Sequence, residues 1–254
     1  MRDAAQRFTS RVESYARYRP GYPAEIIDLL KSECGLASNS LIADVGSGTG
    51  ILSELLLENG NAVFGVEPNG PMRAAGEALL SDYPRFQSID GSAEATTLGT
   101  GTIDLITAGQ AFHWFEGEQT RPEFIRILKP GGFVALIWND RRLDSTPFLQ
   151  AYEELLLSFG TDYKQVKSLT STEPIRKFFA PGDFQVRSFP SSQEFDFDGL
   201  KGRVLSASYT PEPGQPAFDA MISRLREIFD ANQLSGRVAF EYDTKVYYGQ
   251  LTTG

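Results

Sequence analysis

The chain of 254 residues has a single cysteine, Cys34, and a single histidine, His113. One thiol cannot form an internal disulfide, so nothing in the fold is expected to depend on an oxidising compartment. One thiol and one imidazole also fall short of the ligand sets that hold zinc and related metals, and no metal is expected. Positive charge is scarce too: 24 Lys and Arg against 33 Asp and Glu leave a formal net charge of −9. That argues against nucleic acid as the main partner, because a phosphate backbone demands a basic face. No apolar run approaches the ~18 residues of a membrane span, and the opening residues show no apolar signal-peptide segment. Arg2, Arg7, Arg11, Arg17 and Arg19 give the opening a faint look of an organellar transit peptide. Asp3 and Glu13 interrupt that pattern, so the expectation is a cytoplasmic protein without membrane contact. Repeats and low-complexity tracts are missing as well, and the length suits one medium domain or a core with an insertion.

What is present is concentrated in LIADVGSGTG, residues 41 to 50. The apolar run Leu41 to Val45 stops at a loop in which Gly46, Gly48 and Gly50 alternate, and helix-compatible sequence starts at Ile51. Glycine there permits positive φ and lets a ligand approach bare main chain, while the amides opening the next helix face an anionic group. The dinucleotide fingerprint needs a glycine at position 51, where this chain has Ile51, so the spacing is GxGxG and pyrophosphate is a poor fit. Asp44 at the strand end repels phosphate and attracts an ammonium group. The next apolar run, Ala62 to Val66, is closed by Glu67, and a carboxylate at the end of the second strand typically accepts hydrogen bonds from a ribose diol. An amino-acid end joined to a ribose describes S-adenosylmethionine.

With these motifs in this order, residues 11 to 139 resemble the class I S-adenosylmethionine-dependent methyltransferases. The resemblance implies that Gly46, Gly48 and Gly50 hold the methionine part, that Glu67 binds the ribose and that Met72 packs on adenine. It implies that Asp90-Gly91-Ser92-Ala93-Glu94 reads the adenine edge, with Ala93 and Glu94 in the site. Ile103 to Phe115 matches the fourth strand, with its usual acidic residue Asp104, and the segment facing the transferable methyl. Ile127 to Asp140 matches the following helix end, turn and fifth strand. Arg19, in the segment from Tyr15 to Pro23, is a candidate partner for the cofactor carboxylate, since a guanidinium binds carboxylates through two nitrogens. Gln110 is a candidate for positioning cofactor or substrate. His113 is the catalytic candidate: imidazole can accept a proton near neutral pH, although positioning of the acceptor is the favoured role.

The fold expected is α/β, a doubly wound and mostly parallel seven-stranded sheet with an antiparallel last strand. Residues 1–139 form the cofactor-binding core with an N-terminal cap, residues 140–236 a mainly helical lid inserted after the fifth strand, and residues 237–254 a hairpin completing the sheet. That hairpin is read from the alternation of Arg237 to Leu251 around Asp243-Thr244. Within the insertion, helices are expected at Thr146 to Phe159, Pro174 to Phe179, Leu200 to Ser208 and Ala217 to Ala231, and extended chain at Phe184 to Phe189 and Glu194 to Phe197. An insertion leaving the carboxyl end of a strand stands where it can roof the ligand. The expected function is methyl transfer from S-adenosylmethionine to a small-molecule acceptor. The rivals are an NAD(P)-dependent oxidoreductase on the same sheet and a non-catalytic S-adenosylmethionine-binding module. The acceptor and the oligomeric state are not read from the sequence.

Overall fold

The computed structural model describes residues 18–161, 163 and 172–252. Its centre is one sheet of β1 (Leu41–Val45), β2 (Ala62–Val66), β3 (Phe86–Ile89), β4 (Ile103–Gly109), β5 (Leu128–Arg141), β6 (Gln185–Phe195) and β7 (Val238–Gly249). The strands lie in the order β3-β2-β1-β4-β5-β7-β6. The first five are parallel, and β7 runs antiparallel to both β5 and β6. Covering helices are α1 (Glu25–Glu33), α2 (Ile51–Glu58), α3 (Gly70–Leu79) and α4 (Gly117–Ile127). Central parallel strands are buried on both faces, which is why β1 and β4 are apolar runs rather than alternating ones. On one face Ile42, Leu105 and Ile137 pack with Ile26, Leu30 and Leu56 of α1 and α2. On the other, Val45, Ile106 and Leu136 pack with Phe124 of α4 and with Phe112 and Phe178. Asp104 accepts the Leu41 amide at 2.8 Å and pairs with Lys129 at 2.8 Å, tying the start of β1 to β4 and β5.

The insertion carries α5 (Pro147–Phe159), α6 (Glu173–Phe179), α7 (Phe197–Leu205) and α8 (Phe218–Asn232), and also β6. Thr146 caps α5 and Asp196 caps α7, each accepting a backbone N–H three residues on. Phe148, Tyr152, Leu225 and Phe229 pack with Phe240 and Tyr242 of β7 into a third core, separate from the two that flank the parallel strands.

Two expectations about this half need correction. Residues 237–251 do not form a hairpin: Val238–Gly249 is one continuous strand wedged between β5 and β6. Asp243 and Thr244, which read as a turn, sit in mid-strand because neighbours satisfy them, Arg142 pairing with Asp243 at 2.7 Å and Thr244 donating to Asn139 Oδ1 at 2.6 Å. The two extended stretches of the insertion are likewise one eleven-residue strand, so the insertion completes the sheet as well as adding helices. Among the described residues, no helix is long and apolar enough to cross a membrane.

Candidate cofactor site

A cavity of about 500 Å³ opens at the carboxyl ends of β1, β2 and β4. The β1–α2 loop forms its floor. Gly46, Gly48 and Gly50 have φ of +70°, +57° and +87°, a conformation that side chains disfavour. The reasons differ along the loop. A Cβ on Gly46 would stand 2.5 Å from Ala111 Cβ, and one on Gly50 would stand 2.7 Å from Leu80 Cδ1. A Cβ on Gly48 would meet only Met72 Cε, at 3.4 Å, and otherwise point into open space. Thr49, buried in the same loop and on the cavity wall, has a hydroxyl without a hydrogen-bond partner among the described residues.

Two carboxylates organise the loop. Glu67 Oε2 accepts the Gly48 amide at 2.9 Å and Oε1 accepts the Asn69 amide at 2.8 Å, so one side chain fixes the glycine loop and the start of α3 together. Burial raises its pKa from the ordinary carboxylate value, and the two amides and Arg73 offset that only in part. Asp44 is fully buried and accepts Ser53 Oγ at 2.6 Å and Thr107 Oγ1 at 3.0 Å. Burial pushes its carboxyl up to about 6, with those two hydroxyls pulling the other way. Asn69 caps α3 by accepting the Met72 amide, which brings the Met72 side chain to the cavity.

Asp44, Gly46, Gly48, Glu67, Met72, Ala93, Glu94 and Gln110 all line this one cavity, drawn together from four strand ends. Glu94 accepts the Glu116 amide at 2.9 Å; burial raises its pKa, but this and other hydrogen bonds outweigh burial, leaving it below the ordinary value. Gln110 holds an unusual φ of +56° and donates Nε2 to the Asn139 carbonyl at 3.2 Å. Gly50 is one step outside the wall, as the N-cap of α2 packed on Leu80. Arg19 is also outside it, donating Nη2 to the Ser206 carbonyl at the C-terminal end of α7, where a cation suits the helix dipole. No described residue of the insertion lines the cavity, so the expected roof is not part of this wall. Trp114 and Phe115, the aromatic candidates beside His113, line it too, and Tyr22, Thr49 and Asn69 line it without having been singled out. Thr49 sits inside the glycine motif, Asn69-Gly70-Pro71 reads as a helix cap, and Tyr22 belongs to the N-terminal segment expected to cap the site, so each carried a local signal.

His113 lies in the single turn Phe112–Trp114 after β4, but Ala111, Trp114 and Phe115 face the cavity and His113 does not. Its ring rests on Trp114 at 4.7 Å, and burial lowers its pKa to about 4. Such an imidazole is neutral at pH 7 and a weak base. His113→Gln is therefore expected to lower turnover by less than about ten-fold and to leave the pH–rate profile unchanged between pH 6 and 8. Loss of a titrating limb in that range would instead make His113 a base.

A methyltransferase-domain family profile matches residues 43–136, the stretch that builds this cavity. An uncharacterized methyltransferase of Mycobacterium tuberculosis is 36% identical over 140 residues, 55% of either chain. One from Geobacillus kaustophilus is 31% identical over 58% of this chain and 71% of its own. A methyltransferase-like protein of Schizosaccharomyces pombe is 26% identical over 94% of this chain and 93% of its own. The match to the mycobacterial relative spans about half of that protein's length. Among solved structures, a candidate type II methyltransferase from Anaeromyxobacter dehalogenans superposes with a TM-score of 0.67 at 20% identity, covering 93% of this chain and 100% of that one. The chain belongs to the class I S-adenosylmethionine-dependent methyltransferase family.

Proposed function

We propose that this protein transfers a methyl group from S-adenosylmethionine to a small-molecule acceptor. The observation that carries this reading is the charge of the cavity: Asp44, Glu67 and Glu94 line it, and no Lys or Arg does so among the described residues. A wall of that sign suits an ammonium and a ribose diol and opposes the pyrophosphate of a nicotinamide dinucleotide. The residues fit the cofactor. Asp44 would face its ammonium, Glu67 its ribose, and Met72 and Ala93 its adenine, while the Thr49 hydroxyl and the bare Gly48 main chain would serve the methionine end.

When bound, S-adenosylmethionine supplies a methyl on a sulfonium, which an in-line nucleophile displaces with release of a neutral thioether. The chain's own residues then have mainly to align the reactants and exclude water. Phe115 and Trp114 provide apolar wall near that end, and ring faces favour a cation. Gln110, pinned by its bond to Asn139, marks the side from which an acceptor approaches. No titrating group is required unless the acceptor must lose a proton.

Calorimetric titration with S-adenosylmethionine, S-adenosylhomocysteine and NAD tests the cofactor, and turnover against a metabolite panel tests transfer. Binding of NAD in preference to both sulfur compounds would overturn the reading, and tight cofactor binding without turnover would leave a binding module. The raised Asp44 pKa adds a pH test. Protonation below about pH 6 removes the charge that faces the ammonium, so affinity for S-adenosylmethionine should rise from pH 5 to 7 and level off above. Asp44→Asn should flatten that rise. A flat profile in the parent protein would separate Asp44 from the ammonium.

A further inference from the structure

Among the described residues, three polar side-chain atoms beside the third core make no hydrogen bond of good geometry: Arg203 Nε, Arg141 Nη1 and Tyr242 Oη. They converge on one place. Arg141 of β5 and Tyr242 of β7 stand opposite each other in the antiparallel ladder, so their side chains leave the same face of the sheet. Arg203 descends on that face from α7, its guanidinium carbon 5.7 Å from the ring of Phe240, two residues before Tyr242. Tyr152 of α5 closes the group, its ring 5.0 Å from the Arg141 guanidinium carbon. Arg203 is 6% exposed and Tyr242 2%, so bulk water does not serve these donors.

The charges do not cancel either. Arg141 is matched by Glu153 at 2.5 Å, which also accepts the Tyr163 hydroxyl. Among the described residues Arg203 is met by hydroxyls and by no carboxylate: Tyr242, its nearest hydrogen-bonding neighbour, Tyr152, Tyr209, and Ser206, to whose Oγ its bond is long at 3.5 Å. A guanidinium buried without an anion is unfavourable, and a guanidinium nitrogen donates but never accepts. What completes the group is a planar monoanion with two acceptor oxygens, which is a carboxylate. A phosphate dianion would overshoot the single uncompensated charge.

The cluster adjoins the cofactor cavity along two paths. Arg141 is two residues beyond Asn139 on β5, roughly 6–7 Å along a strand, and the Asn139 carbonyl receives the Gln110 amide from the cavity wall. From the other side, Arg19 is bonded to Ser206 just past Arg203, and Tyr22, three residues on, lines the cavity. We propose that Arg203, with Arg141 and Tyr242, binds a carboxylate group of the methyl acceptor in a subsite of the insertion beside the cofactor cavity. This rests on the reading of the chain as a small-molecule methyltransferase, but carboxylate binding needs no turnover, so the two can fail separately.

The test is calorimetry on protein saturated with S-adenosylhomocysteine, using a panel of four- to eight-carbon mono- and dicarboxylic acids, their neutral amides and inorganic phosphate. At least one carboxylate should bind where its amide does not. Arg203→Met should weaken that binding about ten-fold or more, Arg203→Lys should restore part of it, and S-adenosylhomocysteine affinity should stay within about two-fold of the parent. Tyr242→Phe removes only a hydroxyl, keeps the packing, and should cost several-fold, which gives a second reading if Arg203→Met does not fold. Indifference between acids and amides, a preference for phosphate, or carboxylate affinity unaltered in the folded variants would overturn the proposal. Failure of the parent protein to bind S-adenosylhomocysteine would overturn the methyltransferase reading instead, and the same titrations on the unliganded protein would then decide the subsite.

Discussion

Gly48→Val is expected to abolish binding of S-adenosylmethionine while leaving the protein folded. A Cβ at this position meets nothing closer than Met72 Cε at 3.4 Å, the movable end of a flexible side chain. The cost to the fold is therefore backbone strain from a β-branched residue at a φ of +57°, about 1–3 kcal/mol against a typical total of roughly 5–15. The valine methyls enter the volume that the methionine part of the cofactor would fill, and the loop can no longer be approached closely. Neighbouring glycines are poor tests, because side chains at Gly46 and Gly50 collide with Ala111 and Leu80 and would disturb packing as well. Calorimetry should show no saturable binding, with a melting point lowered by only a few degrees. Near-normal melting together with tight binding would mean that the loop does not cradle the cofactor.

Glu67→Ala should weaken S-adenosylmethionine and S-adenosylhomocysteine alike. The carboxylate anchors the amides of Gly48 and Asn69 and, on the proposed reading, the ribose. Hydrogen bonds to a charged group are worth about 1.5–3 kcal/mol, so affinity should fall roughly 10- to 100-fold for both compounds. Loop anchoring and ribose contact separate in a cycle with a ligand lacking the ribose hydroxyls. If Glu67 touches the diol, removing the hydroxyls costs affinity in the parent protein and little in the variant. Equal costs in both would restrict Glu67 to holding the loop, and unchanged affinity for the intact cofactor would remove it from the site.

The half of the chain up to β5 was legible because its signals are local. Strand, glycine turn and helix start fall within ten consecutive residues, and the acidic strand ends recur in a fixed order. The later half depends on partners far away in sequence. Asp243-Thr244 has the composition of a turn, and only Arg142 and Asn139, about a hundred positions earlier, make it a strand interior. The same limit applies to Arg19, whose guanidinium meets the end of a helix 187 residues on. His113 shows a further limit: sequence places it beside the site, but which of four consecutive side chains turns inward is decided by packing of Phe112 against Phe178 and Trp138. Arg203 gave no signal at all, since an arginine within an amphipathic stretch reads as a solvated side chain until its burial is seen.

The wedged position of β7 sets an order of events for folding. β5 and β6 both pair with β7 and not with each other, so the insertion joins the sheet only through a strand later in sequence than either. During synthesis the parallel half can close around the glycine loop while β6 still has no neighbour to bond, and its register becomes defined only when residues 238–249 arrive. A nick or truncation just before Val238 would therefore leave an assembled cofactor cavity beside an unattached insertion with an open strand edge, a species prone to pair with other copies of itself.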